Sequence, residues 1–176
     1  MTEVILVNEQ DEAIGKMEKM EAHEKGLLHR AFSVFIFNKK GELLLHQRAV
    51  NKYHSPQLWS NTCCSHPAPG ENILEAAHRR LNEEMGFDTA LNTLFSFIYK
   101  TEFENGLTEH ELDHVLTGYY DGPVNPNETE VKDYCFKNNK EIMESMLQQP
   151  QKYTSWFKIA LPKLLKHLAD KQESYL

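Results

Sequence analysis

Two adjacent cysteines and a histidine lie within the eight residues from Trp59 to His66, which read WSNTCCSH. A disulfide, a metal site and a catalytic thiol are the three kinds of chemistry that such a group could serve. Three cysteines in 176 residues do not make a disulfide framework, and a bridge between Cys63 and Cys64 would strain the peptide that joins them. Zinc held mainly by thiolates is not expected either, because the chain has no CxxC pair and Cys135 stands alone. A metal site with His66 and a catalytic thiol remain open.

Backbone alternation predicts which of these side chains share a face. If CCSH is extended, Cys64 and His66 lie on one face and Cys63 points the other way, toward the core. If TEHELDHVL is a strand, Glu109 and Glu111 project from the same face and the histidine between them does not. We therefore expect Cys64 to share a pocket with His66 and the two thiols to have different roles.

Histidines and carboxylates in separate segments could form one metal site. EAHEKGLLHR carries His23 and His29, CCSH carries His66, and TEHELDH carries Glu109 and Glu111. Three imidazoles and two carboxylates make a mixed nitrogen and oxygen site suited to Zn²⁺ or Mn²⁺. A single histidine is most often a surface or core residue, and two alternate glutamates are most often a solvated strand face. Only their joint arrangement supports the hypothesis.

Net charge and hydropathy exclude several classes of function. A net charge of −7 disfavours nucleic acid and anionic membranes as partners, so an anionic substrate would need local basic residues or a metal ion. The apolar run in MTEVILVNEQ is too short for a signal segment, and no stretch could span a bilayer. A cytoplasmic location is the resulting expectation. The length and the lack of repeats or linkers predict one domain over residues 1–176.

The hydrophobic pattern predicts a mixed α/β fold. Strands are expected at 31–37 and 42–48, joined as a β-hairpin by NKKG, and at 94–103, 110–120 and 133–137. Helices are expected at 139–149 and 153–171, with Pro162 interrupting or kinking the last. A mixed β-sheet sandwiched between helices, with an added C-terminal helix, is the natural architecture.

One further helix, of about fifteen residues, is predicted after PAPGE. Its apolar face is formed by residues at helical spacing, namely Ile73, Leu74, Ala77, Leu81 and Met85. Gly86 stands where a glycine often ends a helix.

The segment from Ser65 to Phe87 has the spacing of a known motif. It reads S-x5-E-x7-RRLNEEMGF and resembles the Nudix box, G-x5-E-x7-REUxEExGU, where U is apolar. Ser65 replaces the first glycine, and Arg80 replaces the acidic residue of the R-E pair. In a Nudix hydrolase that carboxylate helps to hold Mg²⁺ on the pyrophosphate, so a cation there weakens the hydrolytic metal cluster and adds an anion-binding group. An ordinary amphipathic helix with an Arg80–Glu84 pair is the alternative.

LHRAFS, WSNTCCSHP, the modified box and EHE together resemble the type 1 isopentenyl-diphosphate isomerases, a Nudix-fold branch that isomerises instead of hydrolysing. The resemblance covers roughly residues 19–156 and implies a Nudix-like fold. It also implies the interconversion of isopentenyl and dimethylallyl diphosphate in isoprenoid biosynthesis, through protonation, a carbocation and deprotonation. The partner would be this small-molecule substrate, and the chain is expected to be a monomer or a weak dimer.

The resemblance assigns roles to individual residues. Cys64 would be the catalytic thiol and Glu111 the partner acid or base, with Tyr99 and Trp156 as active-site aromatics. One divalent ion, Zn²⁺ or Mn²⁺, would be held by His23, His29, His66, Glu109 and Glu111, while Glu84 would hold Mg²⁺ on the diphosphate. The diphosphate-binding positions would be Lys19, Arg48, Lys52 and Arg80. The spacing from His23 to His29 is one residue shorter than in the family, so His23 is the ligand that departs from its pattern.

Two other functions are compatible with parts of the sequence. A Nudix hydrolase acting on a nucleoside diphosphate derivative would explain the box, although Arg80 and Cys64 argue against it. A structural metal site in an interaction domain would explain the histidines and glutamates, but not the basic residues around the box.

Overall fold

The computed structural model describes residues 2–173, which form a mixed β-sheet and helices on both of its faces. The strands are β1 Glu3–Val7, β2 Ala13–Glu18, β3 His29–Phe37, β4 Leu43–Arg48, β5 Trp59–Ser60, β6 Cys63–Ser65, β7 Leu91–Glu102, β8 Thr108–Tyr119 and β9 Val131–Lys137. The helices are α1 Lys19–Lys25, α2 Ile73–Met85, α3 Asn139–Gln148 and α4 Ser155–Glu173, with a 3₁₀ turn at Pro150–Lys152. The predicted fold class is confirmed.

Strand β3 is the centre of the sheet. It pairs in parallel with β8 along its whole length, while β6 and the start of β4 pair with its other edge and β1 with its first residue. Its side chains alternate between two cores: Phe32 and Val34 pack under α2, whereas Phe35 and Phe37 pack under α3 and α4. This alternation produces the predicted sandwich, because both faces of β3 are apolar.

The predicted β3–β4 hairpin exists only at its turn. Phe37 and Leu43 are the one register pair between the two strands, because residues 61–62 separate the strands beyond it. The buried Thr62 hydroxyl accepts a backbone N–H of β3 and donates to a backbone carbonyl of β4, at 3.0 and 2.7 Å. The Asn61 side-chain amide donates to a backbone carbonyl of β3 at 3.0 Å. These side chains replace the missing ladder bonds and bring Cys64 onto the edge of β3.

Three N-terminal elements, β1, β2 and α1, were not predicted. They are short, and β2 is largely exposed, so the segment has no clear hydrophobic period. Helix α1 follows β2 directly and ends at Gly26, whose φ is 63°. This segment supplies His23, whose side chain is fully buried.

Helix α2 is close to its prediction but shorter, with 13 residues. Asn72 caps it through a reciprocal pair of hydrogen bonds with Glu75, which fixes Ile73 as the first helical residue. Leu74 was placed on the buried face and is 41% exposed, so that assignment is wrong. The buried face is centred on Ala77 and Leu81, and Leu74 lies in the first turn outside it.

Helix α4 continues through Pro162, which does not interrupt it as predicted. The side of α4 that faces the sheet carries Phe157, Ala160, Leu161 and Leu164, all fully buried in the core. This helix is therefore a fixed wall of the fold. Within residues 2–173, no helix combines the length and the apolar character that crossing a membrane requires.

Gly86 ends α2 in the left-handed backbone conformation, which residues with a Cβ atom adopt at a cost in free energy. Its φ is 74°, and an added Cβ would overlap the backbone carbonyl of Asn125. We expect Gly86→Ala to lower the free energy of unfolding by more than about 2 kcal/mol in urea denaturation. Gly41→Ala is the control, because Gly41 also has a positive φ, 76°, but no atom lies within 4 Å of an added Cβ. Equal losses in the two variants would contradict the role of the Asn125 contact.

Candidate active site and metal centre

One cavity brings together most of the residues predicted from the sequence. The predicted residues that line it are Lys19, Arg48, Lys52, Cys64, His66, Arg80, Glu84, Tyr99, Glu109, Glu111 and Trp156. His23 and His29 lie behind this lining, fully buried and in contact with the carboxylates of Glu109 and Glu111. Six lining residues were not predicted, namely Ser33, His46, Tyr53, His54, Ser65 and Glu130.

Strand pairing positions one half of the histidine and glutamate cluster. His29, the first residue of β3, is the register partner of Glu111 in β8. Their Nε2 and Oε1 atoms are 3.4 Å apart, and His66, the residue after β6, places its Nε2 2.8 Å from the same oxygen. With His23, these residues offer four donor atoms that all lie within 4.8 Å of one another.

The other half of the cluster surrounds Glu109. Its Oε1 atom is 3.5 Å from Nε2 of His23 and 2.7 Å from Nε2 of His54, and these three donors also lie within 4.8 Å of one another. His54 was not predicted from the sequence. In the sequence it lies two residues after the basic residue Lys52, in a loop without a regular pattern, and this was the only feature that could have suggested a role in the site.

The buried nitrogens of this cluster are suited to a metal ion. Nδ1 of His23 and of His29 each lie within hydrogen-bond distance of a backbone carbonyl, at 2.7 and 2.9 Å, so these nitrogens carry the protons. The Nε2 atoms then hold lone pairs, and both are buried without a hydrogen-bond partner among the described residues. Lone pairs that face carboxylate oxygens repel them unless a cation lies between. The cluster therefore fits a divalent metal ion.

The charges of the two glutamates favour the same conclusion. Burial alone would raise the pKa of Glu109, but contacts with His23 and His54 outweigh it and hold that pKa well below its usual range. The pKa of Glu111 is lowered as well, against the effects of burial and of the Glu109 charge, by the neighbouring histidines. Burial lowers the pKa of His66 to about 4, which leaves its imidazole neutral at physiological pH. Anionic carboxylates and a neutral His66 imidazole are forms that bind metal ions, whereas the contact with Glu111 outweighs burial and raises the pKa of His29.

Tyr99 fixes both carboxylates from the neighbouring strand β7. Its hydroxyl lies 2.5 Å from Oε2 of Glu109 and 2.7 Å from Oε2 of Glu111, the register partner of Tyr99. A hydroxyl has one proton, so it can donate to only one carboxylate at a time. These contacts turn both Oε1 atoms toward the histidines.

The two adjacent thiols have different surroundings, as predicted from alternation. Cys63 is fully buried in the core under α2, whereas Cys64 lines the cavity. The Cys64 thiol donates to Oδ1 of Asn61 at 2.9 Å and lies 3.6 Å from the Ser33 hydroxyl, which donates to Asp113 at 2.7 Å. Burial raises the pKa of the Cys64 thiol to about 12, so the sulfur keeps its proton at neutral pH. Within residues 2–173 the cysteines are free thiols.

Basic side chains form the other end of the cavity. Arg80 donates to Glu84 at 2.5 Å and lies 3.6 Å from Glu130, which also pairs with Lys52. The Arg48 guanidinium lies 5.2 Å from the centre of the Trp156 ring. Glu130 belongs to no motif in the sequence, and only the fold brings it between these cations.

The Nudix-like box contributes two side chains to this end of the cavity, Arg80 and Glu84. Burial raises the pKa of Glu84, and the neighbouring Arg80 acts against that effect. Arg79 instead binds Glu71 through two hydrogen bonds, at 2.7 and 2.8 Å, and neither residue lines the cavity.

Comparisons with known proteins identify the family. The NUDIX domain model matches residues 27–157. The "Isopentenyl-diphosphate Delta-isomerase" of Pectobacterium atrosepticum is 52% identical over 93% of this chain and 92% of its own. The protein of the same name from Aliivibrio fischeri is 48% identical over 96% of this chain and 98% of its own. The chain belongs to the isopentenyl-diphosphate Delta-isomerase family. The resemblance found in the sequence is thus confirmed.

Two solved structures with low sequence identity to this chain show the same fold. DR0079 from Deinococcus radiodurans superposes with a TM-score of 0.77 over 92% of this chain and 98% of its own, at 18% identity. A MutT Nudix hydrolase from Burkholderia pseudomallei gives a TM-score of 0.61 over 77% of this chain and 96% of its own, also at 18% identity. At such low identity these likenesses show the Nudix fold alone. Within that fold, this member of the isomerase family carries Arg80 and Cys64 in its cavity.

Proposed function

We propose that this chain interconverts isopentenyl diphosphate and dimethylallyl diphosphate, with Cys64 and Glu111 as its two acid–base groups. One observation carries the proposal: the Cys64 thiol and the Glu111 carboxylate line the same cavity from different strands. About half of the residues are identical to proteins named for this isomerisation, which supports the choice of substrate.

The reaction needs two proton-transfer groups on opposite sides of the substrate. An alkene is a very poor base, so an acid must add a proton to the terminal carbon and leave a tertiary carbocation. A second group then removes a different proton from the neighbouring methylene, which moves the double bond. Cys64 in β6 and Glu111 in β8 lie on strands at opposite edges of β3. Because the reaction is reversible, each group donates in one direction and accepts in the other.

The diphosphate would lie at the basic end of the cavity. Lys19, Arg48, Lys52 and Arg80 line that end and supply charge-assisted donors to phosphate oxygens. Glu84 would hold Mg²⁺ beside them, and Zn²⁺ or Mn²⁺ would bind the histidines and glutamates. When bound, the Zn²⁺ or Mn²⁺ ion would supply positive charge that keeps Glu111 ionised and fixed. The anchored diphosphate positions the hydrocarbon for proton transfer.

Trp156 and the core around it protect the carbocation. Its indole lines the cavity, and the face of an indole ring stabilises a desolvated cation by about 2 kcal/mol or more. Trp156 lies in the first turn of α4, which is anchored by fully buried residues such as Phe157, so this wall excludes water that would otherwise quench the cation as an alcohol.

Proton NMR of isopentenyl diphosphate with the purified chain tests this function. We expect the terminal alkene signals to decay and the methyl signals of dimethylallyl diphosphate to grow, with deuterium incorporated when the solvent is D₂O. Release of phosphate without migration of the double bond would instead indicate a Nudix hydrolase, and an unchanged spectrum would contradict the proposal.

Removal of metal ions is expected to abolish the isomerisation. Without a cation, the lone pairs of His23 and His29 face the carboxylates of Glu109 and Glu111, and the geometry of Glu111 is no longer held. Activity should fall below detection after treatment with a strong chelator and return when Zn²⁺, Mn²⁺ or Mg²⁺ is added. Activity that persists in protein shown to be free of metal by elemental analysis would argue against the metal centre.

A further inference from the structure

His54 lies at the Glu109 side of the metal-binding cluster, in the loop between β4 and β5. Its side chain is 2% exposed. The ring stacks on Phe103, with centroids 4.7 Å apart and an interplanar angle of 10°. Tyr53 and Trp156 contact it edge to face, at 4.4 and 5.6 Å. Aromatic packing on several sides therefore fixes the orientation of this imidazole.

The Nε2 atom of His54 is close to a carboxylate but not hydrogen-bonded to it. It lies 2.7 Å from Oε1 of Glu109, and yet this buried nitrogen has no partner in a hydrogen-bond direction. The Nε2 atoms of His23 and His29 share this condition, at 3.5 and 3.4 Å from a carboxylate oxygen. Two neighbouring ligands of one ion, each about 2.1 Å from it, lie about 3 Å apart and do not point at each other. The same geometry surrounds all three histidines.

The second nitrogen of the His54 ring, Nδ1, can carry the ring proton, and this leaves the lone pair of Nε2 available to an ion. Its Nδ1 atom is 3.3 Å from the hydroxyl of Ser55, which can accept a hydrogen bond from an Nδ1–H group. His54 and Glu109 share His23 with the rest of the cluster. Because Nδ1 of His23 is engaged by the carbonyl of Lys19, only its Nε2 can bind a metal. The two groups of donors overlap at His23, the one ligand that both contain.

We propose that Nε2 of His54 is a further ligand of the metal ion held by His23, His29, His66, Glu109 and Glu111. A sixth protein donor has a chemical consequence, because structural and catalytic Zn²⁺ sites are mostly four-coordinate. Six nitrogen and oxygen donors instead suit an octahedral ion such as Mn²⁺ or Co²⁺. The inference rests on the metal centre of the proposed function and adds a residue that the sequence motifs do not include.

Co²⁺ binding to the chain without diphosphate tests this proposal separately from catalysis. A histidine bound through Nε2 shows its Nδ1 proton as a hyperfine-shifted, exchangeable signal in proton NMR of the Co²⁺ protein. His54→Phe keeps a ring against Phe103, and His54→Asn keeps a polar side chain. We expect both variants to lose one such signal and to bind Co²⁺ at least about tenfold more weakly.

His110→Asn is the matched control, because His110 contacts the carbonyl of Gly26 on the other face of β8 and should leave signals and affinity unchanged. An unchanged number of signals in the His54 variants would overturn the proposal, whether or not the affinity falls, because His54 would then act from outside the ligand shell. If both variants unfold, X-ray absorption of the wild-type Co²⁺ protein decides: four coordinated imidazoles support the proposal, and three overturn it. A failed isomerase assay would change neither count, so the two proposals fail separately.

Discussion

Replacing Cys64 by alanine is expected to lower the rate of isomerisation by about 10²–10⁴-fold, the usual contribution of a positioned acid–base group. The thiol lines the cavity, keeps its proton at neutral pH and is held by Asn61 at 2.9 Å. Alanine cannot transfer a proton, and no other described side chain replaces the sulfur on that strand. Isotope exchange from D₂O into isopentenyl diphosphate, with thermal unfolding of the same sample, measures the effect.

Cys63→Ala is the matched control for this prediction. Cys63 is the neighbouring residue, but its side chain lies in the core under α2 and does not reach the cavity. Its loss should cost about 1 kcal/mol of stability and leave most of the activity. Full activity in Cys64→Ala, or equal losses in the two variants, would refute the role assigned to Cys64.

Replacing Glu111 by glutamine is expected to abolish the isomerisation even when metal is supplied in excess. Glutamine keeps the shape of the side chain and its contact with Tyr99, but it removes the charge and the ability to exchange a proton. It also weakens the metal centre, because Oε1 of Glu111 lies 3.4 Å from His29 and 2.8 Å from His66. The rate should fall by at least about 10³-fold at saturating metal.

Glu109→Gln separates the two roles of Glu111. Glu109 belongs to the same cluster and contacts the same tyrosine, at 2.5 Å, but the proposed mechanism gives it no proton transfer. Its variant should bind metal more weakly and recover activity as the metal concentration rises. Kinetics at increasing Mn²⁺ would show this recovery for Glu109→Gln only. If Glu111→Gln recovers as well, Glu111 is a ligand without an acid–base role.

Short-range rules predicted much of the site. The alternation of side chains in an extended chain placed Cys64 apart from Cys63, and Glu109 beside Glu111, and both statements hold in the structure. Such rules succeed because the period of a strand is a property of its backbone and does not depend on what packs against it.

Features that depend on distant packing were not predictable. His54 lies in an irregular loop, and packing against Phe103 and Trp156, which are distant in the sequence, directs it to Glu109. Leu74 has the spacing of a core residue, but the sheet covers a different arc of α2. The β3–β4 hairpin was overestimated because the side chains of Asn61 and Thr62 take over the backbone bonds of both strands.

A crystal structure of the chain with metal ions and an inert analogue of isopentenyl diphosphate tests the central claim most directly. We expect the Cys64 sulfur to lie against one face of the five-carbon unit and the Glu111 carboxylate against the opposite face, both in contact with it. Both groups on the same face, or either one out of contact with those carbons, would contradict it.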